Sequence, residues 1–359
     1  MSEKFEEIKE NALEEILKIT EGNGAKVDKK IPAIVVDNYS KKFRKFVAAK
    51  EVSFEVGHGV IHGFIGPNGS GKTTTIKAIM GAYVPSSGSI KINGNLAGHS
   101  SANRLIGYIP ERASFPKHLN SIQYLKAMGE LSGLKAKDAH DRAEKILVAL
   151  GLDAHKKRKP ISFSSGMQKK ILLAQSLLTN PKILILDEPA ANLDPTARKE
   201  LFDQLLLLRN QGKTILISSH ILSELERIID EVTFIYYGEV IYSGDIESFN
   251  NDETDVFIKS EDNAKLKKFL IENKFEVIGD VKSELLIEHI NPKTNEKLFK
   301  LLTKSGIKIL SYRSNDLQSV YDKLISKSEN ERRGKQKIGE SKAIAMINHA
   351  KNKPKKKLD

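Results

Sequence analysis

The chain contains no cysteine. That single absence excludes disulfides, thiolate metal sites, iron–sulfur clusters and cysteine nucleophiles. No run of 18 apolar residues occurs, so no segment reads as a bilayer-spanning helix. The opening residues, Met1-Ser-Glu-Lys-Phe-Glu-Glu, are acidic and lack the basic-then-apolar layout of a secretion signal. A cytosolic chain is the expectation. Internal repeats are also missing, so the chain is expected to hold a single α/β unit of its kind. What remains is a globular composition, 40% hydrophobic and 29% charged over 359 residues, long enough for about two domains with buried cores.

The net charge of +12 is unevenly spread. Residues 327–359 carry 11 Lys/Arg against four Asp/Glu and end in Lys-Pro-Lys-Lys-Lys-Leu-Asp. A run of like charge reads first as a solvated, disordered tail. Contact with anionic lipid or with RNA is the functional alternative.

Residues 3–20 place Phe5, Ile8, Ala12, Ile16 and Ile19 on one helical face, followed by a polar linker up to about residue 30. That stripe packs either on the rest of the chain or on a partner. From about 31 to 250 short β-branched runs alternate with helical stretches. They include Ile34-Val-Val, Ile61-His-Gly-Phe-Ile, Ile183-Leu-Ile-Leu, Thr214-Ile-Leu-Ile and Val232-Thr-Phe-Ile. This pattern predicts an α/β domain with a mostly parallel sheet covered by helices. Residues 112–180 read as an inserted helical lobe, with helices near 121–133, 137–150 and 166–179. Residues 251–326 read as a separate α+β domain. Its strands are expected at 255–259, 275–280, 284–289 and 307–312, and its helices at 263–273, 294–304 and 315–326. That βαββαβα order suits a small ferredoxin-like unit.

The clearest local chemistry is Gly66-Pro67-Asn68-Gly69-Ser70-Gly71-Lys72-Thr73-Thr74, which fits G-x-x-x-x-G-K-S/T. Successive backbone N–H groups in such a loop form a nest for phosphate oxygens. Glycines let the backbone approach and adopt dihedrals that other residues avoid. Lys72 adds a point charge, the Thr73 hydroxyl can ligate Mg²⁺, and the following helix aims its N-terminus at the anion. An apolar strand precedes the loop and a helical stretch follows, as the motif requires.

A second signal is Ile183-Leu-Ile-Leu-Asp187-Glu188-Pro189. An acid closing a buried strand is common on its own. Beside a phosphate loop, Asp187 can hold Mg²⁺ or its water, and Glu188 can polarise an attacking water.

Together with further motifs, these resemble the ATP-binding cassettes of ABC-type ATPases. Phe163-Ser164-Ser165-Gly166-Met167 is similar to that family's L-S-G-G-Q signature. Asn192-Leu193-Asp194 follows like its D-loop, and His220 stands where its switch histidine stands. Gly107-Tyr-Ile-Pro-Glu111 occupies the Q-loop position. Phe43 lies upstream, where the family stacks an aromatic ring on adenine. Taken alone, Ser164 and Gly166 would be an ordinary helix cap, His220 a surface or core histidine and Phe43 a core residue. The resemblance runs over residues 32–248 and extends into the C-terminal domain, leaving 1–30 and 327–359 outside.

The resemblance implies a P-loop NTPase cassette with ATP and Mg²⁺ as ligands. Lys72, Glu188 and His220 would be catalytic. Thr73, Asp187 and Glu111 would face the metal. Ser164–Met167 would serve a nucleotide held by a second subunit, in a homodimer or heterodimer. Two departures stand out. Glu111 replaces a glutamine, which puts an extra negative charge near phosphates. The signature keeps Ser164 and Gly166 but has Phe163, Ser165 and Met167 where the family has Leu, Gly and Gln. Both variants, and the added C-terminal domain, are similar to the branch driving drug, lipid and polysaccharide exporters. The expected role is the ATPase subunit of a transporter on the cytoplasmic side of the plasma membrane. It would work through separate transmembrane permease subunits, docking by the helical lobe around 111–135. The alternative is a soluble ABC ATPase acting on ribosomes or nucleic acid. The basic tail favours it, but the single cassette and the lack of an inserted coiled coil count against it.

Overall fold

The structure, a computed structural model, describes residues 27–250, 254–279, 284–314 and scattered positions between 321 and 332. The helix expected over 3–20 and the tail beyond 332 lie outside these residues, as does most of the helix expected over 315–326. The chain divides into two compact units, meeting in sequence at Phe249 and Asn250.

In the first unit, the apolar run at Ile34 opens a hairpin and not a strand of a parallel sheet. Strand β1 (Ile34–Phe43) turns at Arg44, with φ of 54°, into β2 (Phe46–Val56). With β4 (Ser87–Ile92) and β5 (Asn95–Leu96) they make a four-stranded antiparallel sheet ordered β2-β1-β4-β5. The sequence reading missed this sheet, because the run Ile34-Val-Val does not reveal that its partners are antiparallel.

The larger sheet is the predicted one. It is built from β3 (Ile61–Ile65), β6 (Ile106–Ile109), β7 (Ile183–Leu186), β8 (Thr214–Ser219), β9 (Glu231–Tyr236) and β10 (Glu239–Asp245). Its order is β10-β9-β3-β8-β7-β6, with only the β10 edge antiparallel. Strands β3, β7 and β8 are buried along their whole length, as expected for a sheet covered on both faces. His62 is the polar exception in β3, held by Glu231 Oε2 at 2.9 Å and Thr233 Oγ1 at 2.8 Å. The two sheets share one core, in which Phe54 stacks on Phe64 beside Val36, Ile79, Ile90 and Ile185. Each such side chain contributes about 1.5–3 kcal/mol on full burial.

Helix α1 (Lys72–Ile79) follows β3 directly. The lobe contains α2 (Ser121–Leu131), α3 (Ala136–Ala149) and α4 (Ser165–Leu177), close to the three predicted helices. Asn120 and Gln123 form a reciprocal capping box that fixes the start of α2. Helix α5 (Pro195–Asn210) links β7 to β8, with Asp194 as its N-cap.

The second unit has the order β11 (Thr254–Ser260), α6 (Asn263–Glu272), β12 (Leu285–Ile290), α7 (Pro292–Lys304) and β13 (Ile309–Ser314). Its antiparallel sheet is ordered β12-β11-β13. The strand expected over 275–280 is reduced to one bridge, Ile278 to Leu286. That bridge lies on the outer side of β12, where a ferredoxin-like sheet carries its second strand. Val256, Ile258, Leu266, Leu270, Leu298 and Leu302 form the core.

Candidate nucleotide site

The phosphate-loop motif joins β3 to α1, at the carboxyl ends of the parallel strands, where open α/β sheets bind ligands. Gly69 and Gly71 have φ of 81° and 103°. A Cβ at Gly71 would also stand 2.4 Å from Ala48 O, and one at Gly66 2.1 Å from Ile235 O. Glycine is therefore demanded by both dihedral and space. Gly71 is the N-cap of α1 and offers no side-chain acceptor, so the first-turn N–H groups remain available to an anion. Ser70 Oγ is buried in the loop without a partner. That is the kind of polar atom a phosphate oxygen would satisfy.

Register brings the other motifs here. Phe64 and Ile65 stand opposite Ser218 and Ser219, and Leu186 opposite Ile217. Strand β8 thus lies between the loop and the acidic strand. Asp187, 1% exposed, accepts hydrogen bonds on Oδ1 from Ser218 Oγ at 2.8 Å and Thr73 Oγ1 at 3.3 Å. Burial pushes its carboxyl above the ordinary range, against the two hydroxyl donors. A buried carboxylate beside a threonine hydroxyl is a hard oxygen pair of the type Mg²⁺ prefers. Among the described residues no group of three His, Asp or Glu converges on a metal-sized site. Asp187 and Thr73 fit an ion shared with phosphate oxygens, the usual arrangement for nucleotide-bound Mg²⁺.

Glu188 adopts φ of 44°, a left-handed conformation uncommon for a residue other than glycine. Its N–H donates to Ser218 Oγ at 2.9 Å. Its carboxylate meets Lys72 Nζ at 3.1 Å and accepts from His220 Nδ1 at 2.7 Å. Burial alone would raise this carboxyl, but the charge and hydrogen bond of Lys72, with His220, hold it below the usual range. Lys72 is itself 5% exposed and also donates to Gly66 O at 2.7 Å and Pro67 O at 3.2 Å.

A cleft of about 360 Å³ is lined by Asn68, Gly69, Gly71, Lys72, Thr73 and Thr74, with Glu111, Glu188 and His220 opposite. Glu111 lines the same cleft as Thr73, with its carboxylate 3.7 Å from Arg112 Nε. The aromatic ring on the cleft is Phe46 and not Phe43. Phe43 packs edge-on against Tyr83, at 5.3 Å between centroids, under the Lys41 ammonium. The two phenylalanines face each other across the β1–β2 turn, so spacing could not separate them.

The signature residues cap α4. Ser164 Oγ accepts from Met167 N at 3.4 Å, and Ser165 Oγ donates to Asn192 O at 3.0 Å. A Cβ at Gly166 would meet Ala197 Cβ at 2.8 Å, which makes glycine fit the packing of α4 on α5. None of Ser164–Met167 lines the cleft of its own chain. Leu193 is buried, and Asp194 caps α5 by accepting from Ala197 N at 2.9 Å. Residues that the sequence reading passed over are Ser218, Phe46 and Lys169. The last is buried and donates to Pro110 O and Glu111 O. Ser218 was legible as the polar end of an apolar strand.

Comparison with known proteins agrees with this geometry. Residues 49–191 match the ABC transporter family. A putative ABC transporter ATP-binding protein of Mycoplasma pneumoniae is 35% identical, over 83% of this chain and 94% of that protein. The daunorubicin resistance ATP-binding protein DrrA3 of Streptomyces coeruleorubidus is 32% identical, over 63% of this chain and 74% of that protein. The solved structure of an ATP-binding subunit of an ABC transporter superposes with a TM-score of 0.56 at 30% identity, over 61% of this chain and 92% of that one. The chain belongs to the ABC transporter ATP-binding proteins, whose cassettes are ATPases.

Proposed function

We propose that the protein is the motor subunit of an exporter, hydrolysing Mg²⁺-ATP to drive separate transmembrane subunits. The observation that carries the catalytic part is the meeting of Lys72, Glu188 and His220 at the phosphate loop, with Thr73 and Asp187 beside them. Phosphoryl transfer to water needs charge neutralisation and an aligned nucleophile. Loop N–H groups and Lys72 neutralise the outer phosphates. Thr73 and Asp187 would hold Mg²⁺, which would supply further charge neutralisation. Glu188 accepts the proton of the attacking water, and His220 fixes its carboxylate. Phe46 offers its exposed face to the base.

The signature residues stand away from their own cleft, which suits service to the nucleotide of a second chain. Two chains would close head to tail on two ATP molecules, and opening would return mechanical work to the partners. Among the described residues no helix is long and apolar enough to cross a membrane. A groove of about 430 Å³ between β6 and the lobe, lined by Tyr108, Pro110, Arg112, Tyr124, Met128 and Leu131, is the proposed dock for a transmembrane subunit. Leu131 is 80% exposed there. Docked there, the chain would work from the cytoplasmic face of the membrane. The likeness to a daunorubicin resistance ATP-binding protein supports export as the direction.

The test is co-purification of the Glu188→Gln chain with ATP, from detergent-solubilised membranes and from the soluble fraction. A multi-span membrane protein in stoichiometric amount is the expected result. Recovery of ribosomes or nucleic acid with an empty membrane fraction would overturn it.

A further inference from the structure

Helix α4 is tied to two loops of the cleft. Ser165, on its first turn, donates from Oγ to Asn192 O at 3.0 Å, in the loop that follows Glu188. Lys169, one turn later on the same face, donates to Pro110 O at 3.0 Å and Glu111 O at 2.6 Å. Lys169 is only 6% exposed. A buried ammonium is costly unless its donors are used and a counter-charge is near. Two of its three donors are used by those carbonyls. The carboxylates acting on it through space are Glu111 and Asp187.

Glu111 stands where the resembled family has a neutral glutamine. It brings a negative charge to the rim of a cleft built for phosphates. The carboxylate itself lies 3.7 Å from Arg112 Nε, while Lys169, on the helix that begins with the signature, holds the backbone of the same loop. We propose that Lys169 is a positioning residue: it fastens the loop of Pro110 and Glu111 to α4 and so places the Glu111 carboxylate on the rim of the cleft. It thereby links one nucleotide cleft to the segment, Ser164–Met167, that serves the other. The inference rests on the proposed function of the cleft. Lys169 has no contact with the nucleotide in this account and acts through the placement of Glu111.

The experiment is steady-state ATPase kinetics on the full-length chain, with thermal melting of every variant. The set is wild type, Lys169→Met, Lys169→Arg, Glu111→Gln and the Lys169→Met/Glu111→Gln pair. Lys169→Met is expected to lower kcat about tenfold with KM for ATP nearly unchanged, as for the loss of one member of a contacting network. Lys169→Arg, which keeps charge and donors, is expected to restore most of the rate. In the Glu111→Gln background, Lys169→Met is expected to cost about threefold or less, because the carboxylate that Lys169 places is gone. Equal losses in the two backgrounds would overturn the proposal. So would an arginine variant that melts normally yet is as slow as the methionine variant, or a methionine loss explained wholly by melting. A wild-type chain without ATPase activity would overturn the proposed function and this inference together. An active wild type with no coupling between positions 111 and 169 would overturn this inference alone.

Discussion

Lys72 Nζ lies 3.1 Å from Glu188 Oε1, so the phosphate-loop lysine and the proposed water-activating carboxylate form one ion pair. They come from positions more than a hundred residues apart, placed together because β8 separates their two strands in the sheet. An amide at 188 removes the counter-charge and leaves Lys72 to the nucleotide. Glu188→Gln should therefore bind ATP at least as tightly as wild type. Its turnover should fall by about 10²–10⁴-fold, the usual contribution of a general base. Nucleotide titration and phosphate release check the two halves separately.

The neighbouring carboxylates lean in opposite directions, and their effects on stability have opposite signs. Glu188 is held below its ordinary 4.5, so its contribution is present above that value and is lost as pH falls through the folded value. Asp187 is pushed above its ordinary 3.8, chiefly by burial, so stability is lost as pH rises through the window above 3.8. Asp187→Asn should then raise the melting temperature at neutral pH without nucleotide. It should also weaken the Mg²⁺ dependence of ATP binding. Calorimetry from about pH 3 to about pH 7 tests both signs, since it spans the ordinary carboxylate values and the windows on either side of them.

Phe46 should matter more than Phe43 for nucleotide affinity. Stacking of a base on an aromatic ring contributes about 1–3 kcal/mol by alanine substitution. Phe46→Ala is expected to raise KM for ATP by about fivefold or more on that scale, and Phe43→Ala by clearly less. The reverse order would return the stacking role to Phe43 and to the position suggested by the resemblance.

Gly71→Ala should disrupt the loop itself. Its φ of 103° and the Ala48 oxygen 2.4 Å from a Cβ leave no room for a side chain. A cost of about 1–3 kcal/mol is expected from the dihedral alone. Thermal melting of the nucleotide-free chain measures it. Gly69→Ala, with open space around the Cβ, should cost less.

Much of the cassette was legible because its signals are local. Gly66–Thr74 carries its own strand, turn and helix cues, and the runs ending in Asp187 and His220 mark buried strands by hydrophobicity alone. The antiparallel sheet was not legible, since Ile34-Val-Val looks the same in either kind of sheet until its partners are known. Phe43 and Phe46 were inseparable for the same reason: both flank one turn, and only side-chain packing assigns Phe43 to Tyr83 and Phe46 to the cleft. The contact of Lys169 with Pro110 and Glu111 spans 59 and 58 residues of chain, which periodicity does not encode. In the C-terminal unit the expected second strand is one bridge at Ile278, in a segment of mixed apolar and charged residues.

The most direct measurement is the solution mass of the Glu188→Gln chain with and without Mg²⁺-ATP. The account predicts one chain of 40.0 kDa without nucleotide and a species of twice that mass with it, reverting when Ser164 is replaced by a bulky residue. A chain that binds ATP tightly yet stays at 40.0 kDa would contradict the closed two-chain site on which the proposed mechanism stands.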